Sequence, residues 1–215
     1  MRILLTFVFG FIGVLCFAQD TPSGKWDEVE GRIGLTASAI YGHVSLDLAS
    51  VSNAPLIYTV SKGGGSLGAV YQVRLNQKVH VRPAVQFSII NNDIVFENQN
   101  GEVIRRKFLP GFVEVPVHFI YSGSRFGRSV EALFGVKLSQ SAVLRANDEF
   151  SVRSSLWSAE FGLGKEFHIG RRQIYPEILV SLGVNNLYRY SSIEIFARHI
   201  ERMVLHQIAL RVSLY

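Results

Sequence analysis

The feature that most constrains this chain is the strict two-residue alternation at its C-terminus. From Val204 every second residue reads Val204, His206, Ile208, Leu210, Val212 and Leu214. The interleaved residues are Leu205, Gln207, Ala209, Arg211, Ser213 and Tyr215. Side chains alternate across a strand, so this pattern specifies a strand with one greasy face and one small or polar face. A helix would mix the two sets on every side.

Seven upstream segments repeat the pattern. The greasy sets begin with Ile33, Leu35, Ala37, Ala39 and Tyr41, followed by Leu67, Ala69, Tyr71, Val73 and Leu75. They continue with Val79, Val81, Val85 and Phe87, then Val113, Val115, Val117, Phe119 and Tyr121. The last three are Val130, Ala132, Phe134, Val136 and Leu138; Trp157, Ala159, Phe161, Leu163 and Phe167; and Ile178, Val180, Leu182 and Val184. Eight such segments of roughly 9–11 residues suit an eight-stranded antiparallel up-and-down β-barrel that crosses a membrane.

Link lengths point the same way. Short links fall at Asn76-Gln77, Gly123 to Gly127 and Ile169 to Gln173. Long links fall at Gly42 to Gly65, Ile89 to Gly111, Gln140 to Arg153 and Asn185 to Arg202. Short periplasmic turns alternating with long outer loops are the habit of outer-membrane barrels. Within the second long link, Ile94-Val95-Phe96 and Val103-Ile104 flank a turn-prone stretch and extend a hairpin. Gly63-Gly64-Gly65 reads as flexible loop.

Alternation alone fits a soluble barrel with its faces inverted. Three features favour the membrane. Tyr41, Phe87 and Trp157 sit at outer ends of the greasy face, and Tyr121 and Phe167 at inner ends, like interfacial girdles. The chain ends on an aromatic, Tyr215. The loop asymmetry is a third mark. Only Lys165 and His206 break the greasy face, both near strand ends.

The polar face carries Arg32, Arg74, Arg82, Lys137 and Arg211 against Glu114, Glu131, Glu160, Glu166 and Glu177. An eight-stranded barrel has an interior just wide enough for side chains to fill, and balanced charges can pair there. Pro83, Pro116 and Pro176 fall inside strands and each removes a ladder donor, which local bulges would absorb.

The first residues read as an export signal. Arg2 precedes the apolar run Ile3 to Phe17, and Cys16-Phe17-Ala18 supplies small residues for cleavage after Ala18. The expected division is residues 1–18 as signal peptide, 19–30 as a periplasmic segment and 31–215 as the barrel. The single cysteine, Cys16, leaves with the signal, so the mature chain holds no thiol. The formal charge of +5 for the full chain includes Arg2 and comes with no long basic run, so nucleic-acid binding has no support.

No Walker loop or HExxH motif is present, and no cofactor is implied. The one enzyme class worth weighing is a lipid-A-modifying barrel, with His206 beside Ser154 or Ser155. His80 and His118, on the polar face, read as structural hydrogen-bonding groups rather than metal ligands.

Three runs carry a family resemblance. They are GAVYQVRLNQKVHVRPAVQF from Gly68, FVEVPVHFIYSGSRFGRSVEALFGVKLS from Phe112, and YPEILVSLGVNNLYR from Tyr175. With Arg82-Pro83, Glu114-Val115-Pro116, Pro176-Glu177 and the Gly183 to Leu187 ending, the chain resembles the PorT-like outer-membrane β-barrel family of Bacteroidota. The basic residue usual after the Glu-x-Pro strand is replaced around Ile120. The resemblance implies a non-enzymatic barrel of the cell outer membrane, associated with type IX protein secretion and embedded in outer-membrane lipid. It also implies contact with other secretion-apparatus proteins. A stand-alone structural or adhesive barrel is the alternative.

Overall fold

The computed structural model describes residues 31–48, 56–97, 101–108, 111–123, 130–142, 153–170, 172–188 and 199–215. The expected signal peptide and periplasmic segment lie outside the described residues. Among the described residues ten strands follow one another: β1 Gly31–Leu48, β2 Leu56–Arg74, β3 Val79–Glu97, β4 Val103–Phe108 and β5 Gly111–Tyr121. They continue as β6 Glu131–Ser141, β7 Ser155–Gly164, β8 Phe167–Ile169, β9 Arg172–Gly183 and β10 Ile200–Leu214.

All pairings are antiparallel, and β10 closes on β1. The wall has eight staves: β1, β2, β3, β5, β6, β7, β9 and β10. The remaining two elements extend staves. β4 continues the line of β5 along the outer half of β3, and β8 continues β7 along β9. Followed once around the wall, the register returns to β1 displaced by about ten residues, the stagger that tilts strands in a closed barrel.

The outer strands run further than the sequence pattern suggests. β1 and β2 occupy most of the expected Gly42 to Gly65 link, and β3 pairs with β4 through Phe96↔Ile104 as the extended hairpin anticipates. Gly63 to Gly65 are strand, not flexible loop. Gly64 pairs with Ile90 and Gly65 with Ile89, just past a bulge that begins at Ser61. A Cβ on Gly64 would run into the Ile89 backbone, so this glycine serves close approach.

The three prolines cost ladder pairs without the expected bulges. The β2–β3 register is the same on either side of Arg82-Pro83, and the β3–β5 register on either side of Pro116. Pro176 lies where β7 gives way to β8, and its carbonyl accepts from the Lys165 amide at 3.1 Å. Its missing N–H therefore faces a break that is already there. The tight β2–β3 turn is held by Asn76, whose Oδ1 accepts from the Lys78 and Val79 amides at 2.9 Å each.

The greasy set points outward except Val204, which is buried beside Met203 and Leu205 where the alternation lapses. Leu67 is 70% exposed, Leu210 60% and Phe161 52%. The aromatics Tyr41, Phe87, Trp157, Tyr121 and Phe167 are all exposed on the same surface, and Phe119 stacks on Phe134 there with centroids 5.4 Å apart. At ~3.3 Å per residue and a tilt of ~40°, the stretch from Ile33 to Tyr41 rises roughly 20 Å, close to the ~25 Å apolar band of membrane barrels. An apolar exterior of this extent is costly in water and favourable in lipid.

Candidate functional site

The lumen is filled in layers. At the inner end Ile120, Leu133, Tyr175 and Leu179 form a small apolar layer, with Tyr215 packed against it. The Tyr215 hydroxyl donates to Gln72 Oε1 at 3.1 Å, which ties β10 to β2 across this layer.

Above this lies a chain of charges. Each member comes from the inward half of an alternating strand, which is why six different strands supply it. Glu177 on β9 accepts from Arg82 on β3 and Arg211 on β10. Arg211 reaches His118 Nδ1 at 3.3 Å, and His118 Nε2 lies 2.8 Å from Glu160 Oε2. That arrangement assigns the ring proton to Nε2. Lys137 Nζ is 3.1 Å from Glu160 and 3.5 Å from Glu114, and it donates to Gln207 at 2.7 Å. Gln86 and Ser139 complete the Glu114 carboxylate at 2.7 and 3.1 Å. All of these side chains are buried, Arg82 to 1% and Glu177 to 4% exposure. Charges this deep are tolerated only when paired and hydrogen-bonded. Three cations here face three carboxylates.

The outer part of the lumen is apolar. Ile40, Val44, Ile90, Phe112, Leu156, Met203 and Leu205 pack there with Leu187. Two-residue alternation does not reveal this layer, because it marks the inward face as largely small or polar. The available signal was local loss of alternation, at Ile89-Ile90, Ile94-Val95-Phe96 and Met203-Val204-Leu205.

Of the ten charges assigned to the lumen, Arg82, Glu114, Lys137, Glu160, Glu177 and Arg211 form this buried chain. Arg32, Glu131 and Glu166 sit at its inner rim. Arg32 donates to Gln173 at 2.5 Å and lies 3.7 Å from Glu166, and Glu131 accepts from Ser122. Arg74 does not belong to the lumen: it is exposed beside the turn and donates to the Asn76 carbonyl at 3.3 Å. It is the last residue of its strand, paired with His80 at the end of the wall, where the interior opens to water. His80 is a rim residue 3.4 Å from Gln72. Lys165 lies over the Phe167 ring at 4.9 Å, as a snorkelling lysine would.

The Ser/His pairing weighed for a lipid-modifying enzyme does not assemble. Ser155 pairs with Gln140 on β6, whereas His206 pairs with Leu182 on β9 and His43 on β1. Leu182 in turn faces Ala159, four residues along β7 from Ser155. A different pair meets instead: His43 Nδ1 is 3.1 Å from Ser61 Oγ. Among the described residues no three His, Cys, Asp or Glu side chains gather as metal ligands.

The outer rim is stitched by two adjacent asparagines. The β7–β9 ladder stops at Ser158↔Gly183. Beyond it Asn185 accepts from the Trp157 amide at 2.8 Å and donates to the Ser155 carbonyl at 2.9 Å. Asn186 does the same for β10, accepting from the Met203 amide at 2.9 Å and donating to the Glu201 carbonyl at 3.1 Å. The two side chains thus supplement the backbone bonds that continue past the ladder, from Val184 to Trp157 and from Leu187 to Met203.

These features define a closed antiparallel barrel with an apolar exterior and an ionically filled interior. No family model matches the chain, and no curated protein matches it in sequence. Among solved structures it is similar to the outer membrane protein OprG of Pseudomonas aeruginosa, at 12% identity and a TM-score of 0.44, over 85% of this chain and 94% of that one. It is also similar to the outer membrane protein AlkL in lipid bilayers, at 12% identity and 0.43, over 91% and 94%. A Pseudomonas aeruginosa FadL homologue aligns at 10% identity and 0.33, over 74% of this chain and 36% of its own.

Proposed function

We propose that this protein is a non-enzymatic barrel of the cell outer membrane that acts through its surfaces rather than its lumen, as an accessory or assembly component of protein export. The observation that supports a surface role is the filled interior. Two apolar layers enclose a charge-paired layer, and an eight-stranded wall has no width to spare for a diffusing solute. The apolar exterior supports the membrane location, and export would be directed by residues 1–18. The type IX assignment and its secretion-apparatus partners rest on the PorT-like motifs Arg82-Pro83, Glu114-Val115-Pro116 and Pro176-Glu177.

The test is deletion of the gene in its host, with sorting-domain cargo quantified in medium and periplasm. The expected outcome is cargo held in the periplasm and released again on complementation. Normal release would remove the export role. It would leave the stand-alone structural or adhesive barrel, which the outward extension of β2, β3 and β4 favours.

A further inference from the structure

The outer face of the wall holds a groove that leads to a polar cluster. Its floor is made of small residues, Ala37, Ala39 and Gly65, and its rim of large ones, among them Leu67, Phe87 and Leu210. The groove encloses about 560 Å³. The floor is low because these outward positions hold alanine and glycine where neighbouring strands hold leucine and phenylalanine. The register places the three side by side, with Ala37 opposite Leu67 and Ala39 opposite both Gly65 and Leu210.

Four residues beyond Ala39, roughly 13 Å along the strand, the same outward face of β1 presents His43. It pairs across the ladder with His206 of β10. Ser61 Oγ lies 3.1 Å from His43 Nδ1 and so engages one ring nitrogen of the exposed His43. His206 Nδ1 is buried and has no hydrogen-bond partner among the described residues. Tyr41 stands between groove and histidines, exposed, at the level of an aromatic girdle.

We infer that groove and histidine pair together form a seat for one phosphate-bearing acylated lipid of the outer leaflet. The acyl chain lies over Ala37, Ala39 and Gly65, where it gains close contacts that a flat wall would deny it. The phosphate accepts from the exposed His43 ring and from the partly exposed His206 ring beside it, at the level where headgroups begin. A free phosphate would use the imidazoles but gain nothing from the groove. The inference rests on the membrane reading proposed above.

The test uses the full mature chain in phosphatidylcholine nanodiscs doped with diphosphoryl lipid A, with retained lipid counted by native mass spectrometry after transfer to detergent. Heat-modifiable gel migration establishes that each variant is folded. The wild type is expected to retain one lipid A. His43→Ala/His206→Ala lowers retention about tenfold, the loss that goes with removing hydrogen bonds to a charged group. Ala39→Trp, which fills the groove, does the same. Val136→Trp, exposed on the opposite wall, leaves retention unchanged, and inorganic phosphate does not compete.

Equal retention by the wild type and the double histidine variant would overturn the inference. So would normal retention by Ala39→Trp, and displacement by inorganic phosphate would assign a free-anion site instead. A folded wild type that enters nanodiscs and retains no lipid sinks this inference alone. A chain that does not enter bilayers sinks the membrane reading with it.

Discussion

Arg82 and Glu177, 95 residues apart in sequence, form a buried ion pair across the barrel lumen, and Arg211 shares the same carboxylate. β3 and β9 are not neighbours in the wall. The pair therefore braces opposite sides of the barrel, a task that ladder bonds between adjacent strands cannot perform.

Glu177→Ala is expected to destabilise the barrel by about 3–5 kcal/mol, because it strands two buried guanidinium groups. Urea unfolding in lipid vesicles, followed by tryptophan fluorescence, measures this. Combining it with Arg82→Ala should cost less than the two single losses added together, since the partners share one interaction. Strict additivity would mean that the pair does not couple across the lumen.

Leu210 faces outward in the middle of the apolar belt. Leu210→Arg should cost about 2–4 kcal/mol in a bilayer, the penalty for a cation at mid-membrane depth. The same unfolding assay in vesicles reads it. A neutral effect would mean that this surface meets water.

Asn185 joins the end of β9 to β7 by two hydrogen bonds. Asn185→Ala should cost about 1–3 kcal/mol and speed hydrogen exchange at the Trp157 amide. Exchange at Val180, which pairs within the intact ladder, should stay slow. Unchanged exchange at Trp157 would show that the side chain does not carry the stitch.

Gly64 and Gly63 are adjacent but answer to different constraints. A Cβ at Gly64 would collide with the Ile89 backbone, whereas at Gly63 the nearest atom is 3.9 Å away. Gly64→Ala should lower folding yield and thermal stability, and Gly63→Ala should leave both near wild type. Refolding into detergent micelles with a heat-modifiability assay compares them. Equal tolerance would contradict the close approach of β2 to β3.

The eight staves, their antiparallel order and the direction of most strand side chains were legible in the sequence. Period-2 alternation is a local property: once Ile33, Leu35 and Ala37 share a face, Arg32 and Gly34 must share the other. The same logic placed Arg82, Glu114, Lys137, Glu160, Glu177 and Arg211 in the interior. It failed at Arg74, the last residue of its strand, and at Gly63 to Gly65, where composition suggested loop and packing demanded strand. What alternation cannot carry is depth and partnership. Depth along the lumen depends on the stagger with which eight strands close, and that stagger is a property of the whole ring. Only closure decides that Glu177 meets Arg82 rather than Lys137, that the outer lumen is apolar, and that His43 stands opposite His206. Side-chain direction was fixed two residues at a time, whereas partnership was decided by how the tilted wall joins its own beginning.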